Sequence, residues 1–123
     1  MTIAIALAIA FARAVDPCAS AETTLEIVDC VSKLYEVSDA RMTVQWERAV
    51  ARAKLADSVE PKLQPTYFAA LLDSQRKWLA YRDSQCRYES YRMRGGSGER
   101  YTLSFCLVSL TDQRADQLRS LEF

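Results

Sequence analysis

The chain has 123 residues, enough for one hydrophobic core and too few for two. Half of the residues are apolar and 26% are charged, which excludes a disordered segment and places it among globular domains. Sixteen bases balance sixteen acids and histidine is absent. A polybasic nucleic-acid binder, the usual zinc sites and a histidine-based triad are therefore disfavoured.

Residues 1–14 read MTIAIALAIAFARA, an apolar run closing on Ala12-Arg13-Ala14. This pattern matches the apolar region and small-residue cleavage site of a secretory leader, although no basic segment opens it. The run is too short to span a bilayer. Cys18 follows Val15-Asp16-Pro17, which is not a lipid-attachment pattern. The expectation is a leader at 1–14, one domain at 15–123, and an exported protein with no stable membrane span.

After a short arm to Ala21, one long helix is expected from Glu22 to about Val59. Ile27, Val31, Leu34, Tyr35, Met42, Trp46, Ala49, Val50 and Ala53 are spaced mostly by three, four or seven, as one face of a helix requires. Ser20, Thr23 or Thr24 can cap it, and Glu22 and Glu26 suit the positive end of its dipole. Ser38-Asp39 is the weak point of its continuity. Pro61 and Pro65 mark a connection, with Pro65 expected in the first turn of a second helix running to about Arg94. Gly95-Gly96-Ser97-Gly98 ends that helix, and a third spans roughly Glu99 to Leu121. Its stripe is Leu103, Cys106, Leu107, Leu110, Arg114, Leu118 and Leu121. The fold expected is all-α, a small antiparallel bundle of three long helices.

Geometry selects one of the three possible cysteine pairings. Cys86 lies nine residues before Gly95 and Cys106 eight after Gly98. At about 1.5 Å per residue, both stand level across a helical hairpin. Cys18, on the arm, can fold back to Cys30. No C-x-x-C pair exists and no histidine can activate a thiol, so structural disulfides are favoured over a metal site or a nucleophile. Each is expected to contribute about 2–4 kcal/mol.

The second helix carries an unusual stripe. Leu71, Gln75, Trp78, Arg82 and Cys86 share one face, so an amide and a guanidinium sit where a core would hold leucine. Both need partners once buried. Trp78 and Arg82 are i, i+4 neighbours suited to a cation–π contact. Asp39 is the carboxylate expected to answer Arg82, and Asp83 the one expected to answer Arg114. Such residues either fix helix register or line a polar cleft for a ligand. Catalysis has less support, because no carboxylate pair, phosphate loop or metal constellation stands out.

The segment Gln75-Arg-Lys-Trp78-Leu-Ala-Tyr81-Arg82-Asp83-Ser-Gln-Cys86 resembles the Q-x-x-W-x-x-Y/F-R-D-x-x-C signature of the LprI-type lysozyme inhibitors. Cys106-Leu-Val-Ser-Leu-Thr111-Asp-Gln-Arg114 through Leu118 is similar to the closing C-L-x-x-L-T-x-x-R-x-x-x-L of that family. Asp39 through Trp46 is similar to its D-x-x-L-N-x-x-Y segment, departing at Met42, Thr43 and Trp46. The resemblance covers about Pro17 to Leu121. It implies a protein of the bacterial periplasm or envelope that binds and inhibits lysozyme; from the residues themselves no enzymatic activity, cofactor or metal is expected. It also marks Asp39, Gln75, Trp78, Tyr81, Arg82, Asp83, Thr111 and Arg114 as motif residues, read here as a structural polar core.

Charge is unevenly placed. Residues 15–40 carry six acids against Lys33, while residues 61–94 carry seven bases against three acids. Either these are two solvated faces that attract each other on packing, or the acidic end docks a basic protein. On the second reading Glu22, Glu26, Asp29 and Glu36 are the candidate contact residues, and no nucleic acid is expected as a partner. An accessory domain with another partner would instead use an exposed aromatic face, for which Tyr88, Tyr91 and Tyr101 are candidates.

Overall fold

The computed structural model describes residues 16–121, so residues 1–14, read above as a leader, lie outside the described residues. Three helices follow one another: α1 (Thr24–Val59), α2 (Tyr67–Ser90) and α3 (Glu99–Ser120), with a 3-10 turn at Tyr91–Met93. At 36 residues, α1 is about 54 Å long and overreaches both partners. Tyr35 and Met42 of α1 meet Arg82 and Gln75 of α2 in reverse order, so these helices are antiparallel. The contacts Cys86–Cys106, Arg82–Thr111 and Gln75–Arg114 run in reverse order between α2 and α3 as well. The result is the expected all-α, up-down-up bundle stapled by two disulfides.

Local chemistry explains each boundary. Thr23 caps α1: its hydroxyl accepts from the Glu26 amide at 3.1 Å, while the Glu26 carboxylate accepts from the amides of Glu22 and Thr23. Those two amides also hold the Glu26 carboxyl below its ordinary pKa. The helix runs through Ser38-Asp39 without a break. Poor helix formers cost only a few tenths of a kcal/mol each, and packing of the flanking Val31 and Met42 overrides that.

The α1–α2 connection departs from expectation. Thr66 is the N-cap of α2, so Pro65 stands just before the cap rather than inside the first turn. The unforeseen element is Asp57, near the end of α1, whose two carboxylate oxygens accept from the amides of Tyr67 and Phe68 at 2.7 and 3.2 Å. One helix thus caps the next, at the end where the dipole favours an anion. At the other turn α2 stops at Ser90, four residues earlier than expected, and the chain tightens before Gly95 takes φ 77°. That left-handed conformation suits glycine.

The core is narrow. α3 packs along α1 more extensively than α2 does. Ala49 and Ala53 of α1 and Ala115 of α3 are nearly inaccessible, and Met42, Leu71 and Leu118 fill the space between them. Small side chains let these helices approach closely, while Trp46, Phe68 and Trp78 cover the rim. The disulfides join Cys18 to Cys30 and Cys86 to Cys106, with Cα separations of 5.9 and 5.4 Å. The first ties the arm to α1; the second closes the α2–α3 hairpin.

Replacing Cys86 and Cys106 together by alanine is expected to lower stability by about 3 kcal/mol or more, since a modest loop opens around a fully buried sulfur. Replacing Cys18 and Cys30, where Cys30 is only half-buried, is expected to cost less. Urea unfolding of the two double variants checks the order.

Candidate functional site

Gln75, Trp78 and Arg82 occupy successive turns of α2 and project toward Thr111 and Arg114 of α3. The guanidinium residues Arg82 and Arg114 are 7% and 6% exposed, and Gln75 and Thr111 are buried with them. Arg114 donates from Nε to Oε1 of Gln75 at 2.9 Å and from Nη2 to the Ser74 hydroxyl at 3.2 Å. Its Nη1 donates to the Gln117 side-chain carbonyl. Arg82 donates from Nε to Oδ1 of Asp83 at 2.9 Å and from Nη1 to the Thr111 hydroxyl at 3.3 Å.

Trp78 ties the two cations together. Its ring centroid lies 5.3 Å from the Arg82 guanidinium carbon and 5.7 Å from that of Arg114. Tyr35 of α1 contacts Arg82 at 5.8 Å, and Gln75 Nε2 approaches the Met42 sulfur at 3.9 Å. All three helices therefore meet at one polar layer. Burial pushes the Arg114 pKa below its ordinary value, yet a guanidinium keeps its proton. The layer is a set of donors already matched to acceptors.

Two expected pairings are corrected by this geometry. Arg82 is answered by its neighbour Asp83, not by Asp39, because a long arginine side chain can fold back to a carboxylate at the rim of its own helix. Asp39 is half-buried on α1, where its backbone carbonyl accepts from the Thr43 hydroxyl at 3.0 Å. Among the described residues Arg114 has no carboxylate partner; neutral oxygens and an aromatic face hold it. Tyr81, 55% exposed, does not join the layer, since it stands about 100° round the helix from Arg82. Asp83 is likewise mostly exposed.

Among the described residues no ion pair joins residues 16–40 to residues 61–94. Instead Arg41 of α1 bridges Asp112, at 2.9 Å, and Asp116 of α3. The i, i+4 repeat of like charge at Asp112 and Asp116 was the available signal, because such a pair invites a cation from outside its own helix.

Glu22, Glu26, Asp29 and Glu36 are all exposed. Helical spacing lines Glu26, Asp29 and Glu36 along one face of α1, with Lys33 among them. Lys33 pairs with Asp29 at 2.9 Å, and that contact raises its pKa. Glu26 serves the helix cap, while Glu22 and Glu36 have no ion-pair partner among the described residues. Of the candidate tyrosines, Tyr88 is 73% exposed, and Tyr91 carries the Arg94 guanidinium 4.3 Å from its ring. Tyr101 is half-buried. No group of three or more metal-ligating side chains occurs among the described residues, and none of their helices is long and apolar enough to cross a membrane.

Residues 15–118 match the protein family described as lysozyme inhibitor LprI. An uncharacterized protein of Rhizobium meliloti (strain 1021) is 31% identical over 107 residues, which cover 85% of this chain and 77% of that protein. No solved structure matches the chain.

Removing the Asp83 carboxylate with alanine is expected to cost about 1–3 kcal/mol, because it leaves a buried guanidinium short of its charged acceptor. Asp39→Ala is expected to stay within about 0.5 kcal/mol of the parent. Denaturation of both variants, and of each combined with Arg82→Met, locates the coupling.

Proposed function

The chain belongs to the LprI lysozyme inhibitor family, and from that membership we propose that it is an exported, non-catalytic protein that binds and inhibits lysozyme by direct contact. Residues 1–14 act as its leader and residues 15–123 form the inhibitory domain in the periplasm or cell envelope. The observation that carries this reading is family membership together with an exposed acidic stripe at the start of α1.

The physics of the encounter follows from the charges. Four carboxylates face solvent at Glu22, Glu26, Asp29 and Glu36 against the single ammonium of Lys33. A stripe of this sign attracts a basic enzyme over roughly 10 Å at 0.1 M salt and over about 3 Å at 1 M. Attraction of this kind accelerates association and orients the partner more than it adds affinity. The Cys18–Cys30 bond and the Thr23 cap hold the stripe on a fixed helix, so little ordering remains for binding to oppose. Two disulfides suit a compartment outside the reducing cytosol.

A second reading is favoured by the exposed Tyr81 and Tyr88, large aromatic surfaces on the outer side of α2. There the chain would be a non-catalytic envelope accessory domain for a different protein partner, with the tyrosines as anchors.

Titrating chicken-type lysozyme with the oxidised protein distinguishes the two. Inhibition is expected to be stoichiometric and to weaken as salt rises. The combined Glu22→Gln, Asp29→Asn and Glu36→Gln variant is expected to inhibit about tenfold less well, a change of about 1.4 kcal/mol. No inhibition at large excess would remove chicken-type lysozyme as the target and leave the accessory reading.

A further inference from the structure

Where α2 and α3 approach their connecting turn they enclose a cleft of about 580 Å³, between Arg87 and Tyr91 on one side and Arg100, Leu103 and Leu107 on the other. A volume of this order suits a small organic molecule. Two acids also reach the cleft, and both are engaged. Asp83 holds Arg82 at 2.9 Å, and the Glu99 carboxylate accepts from the Gly95 amide at 2.9 Å. The two arginines are not engaged. Neither guanidinium has a hydrogen bond or ion pair among the described residues.

We infer that this cleft is a binding site for a small monoanionic ligand, a carboxylate carried on a compact apolar body. Three features converge on that chemistry. Arg87 and Arg100 come from facing helices, and the like charges they bring to one cleft are relieved by an anion between them. Guanidinium forks match a carboxylate in shape and charge. The carboxylates of Asp83 and Glu99 balance the two arginines in formal charge, so a single negative charge is favoured over a phosphate dianion.

The rest of the ligand is specified by the wall. Leu103, Leu107 and Tyr91 offer an apolar surface beside the arginines. The Cys86–Cys106 bond joins the residues next to Arg87 and Leu107. It fixes the separation of the two walls, so the cleft is formed before any ligand arrives. This site uses none of the acidic residues assigned to lysozyme contact, and it presents guanidinium groups where that stripe presents carboxylates. It stands or falls independently of the inhibitor reading.

The test is a backbone-amide NMR titration of the oxidised protein with N-acetyl-L-leucine, N-acetyl-L-leucinamide and inorganic phosphate. The acid is expected to shift the amides of Tyr91, Leu103 and Leu107 saturably, with a dissociation constant of about 1 mM or tighter. The amide and phosphate are expected to bind at least tenfold more weakly. Arg87→Gln and Arg100→Gln alter exposed side chains, so helical content is retained while acid binding falls about tenfold in each. Lys77→Gln, on another part of α2, leaves it unchanged. The inference is overturned if the acid gives no saturable shift, if acid and amide bind alike, if phosphate binds as tightly as the acid, or if both arginine variants bind normally.

Discussion

Arginine cannot shed its proton at ordinary pH, and this protein buries one that no carboxylate among the described residues neutralises. Arg114 is enclosed by neutral partners: the carbonyls of Gln75 and Gln117, the hydroxyl of Ser74 and the face of Trp78. An unmatched charge there would cost several kcal/mol, so the native arrangement is the one that brings all four to it. Those partners sit on α2 and α3 at set levels. Sliding either helix by one turn would separate the guanidinium from Gln75 and Ser74 together. Register between the helices is thus set by hydrogen-bond geometry, which a slender core of alanines specifies poorly.

The remaining devices act around that layer. The Cys86–Cys106 bond fixes the hairpin one turn beyond Arg82, and Asp57 joins α1 to the start of α2 at the far end. Arg41 spans to Asp112 and Asp116 across the surface, where exposed ion pairs contribute little stability and mainly choose orientation. The turn end of the bundle therefore holds two distinct charged surfaces on one frame. One is the acidic stripe of α1, and the other is the arginine-lined cleft between α2 and α3.

Much of the architecture was legible because it rests on local rules. Helical spacing, the glycine turn, equal distances from that turn and the reach of the N-terminal arm sufficed for three helices and both cysteine pairs. The choice of Thr23 over Ser20 and Thr24 as cap came only with the structure. Trp78 beside Arg82 followed from i, i+4 spacing. The acceptors of the buried cations were not legible. A search for carboxylates passes over Gln75, Ser74 and Gln117, and it gives Asp83 to Arg114 rather than to Arg82 because a neighbour in sequence does not face the same way. Asp57 as a cap depends on the path of the connection, which periodicity does not describe. The cleft of Arg87 and Arg100 exists only once α2 and α3 are paired, so no single helix announces it.

The claim that a carboxylate-free cation organises the bundle is tested most directly by a double-mutant cycle on Gln75→Leu and Arg114→Met, read by urea unfolding. The account predicts that Gln75→Leu alone costs about 1–3 kcal/mol, since it strands a buried donor. The double variant should be less destabilised than the sum of the singles, with a coupling above about 1 kcal/mol. Additivity within about 0.5 kcal/mol would contradict it and return the organising role to the apolar core.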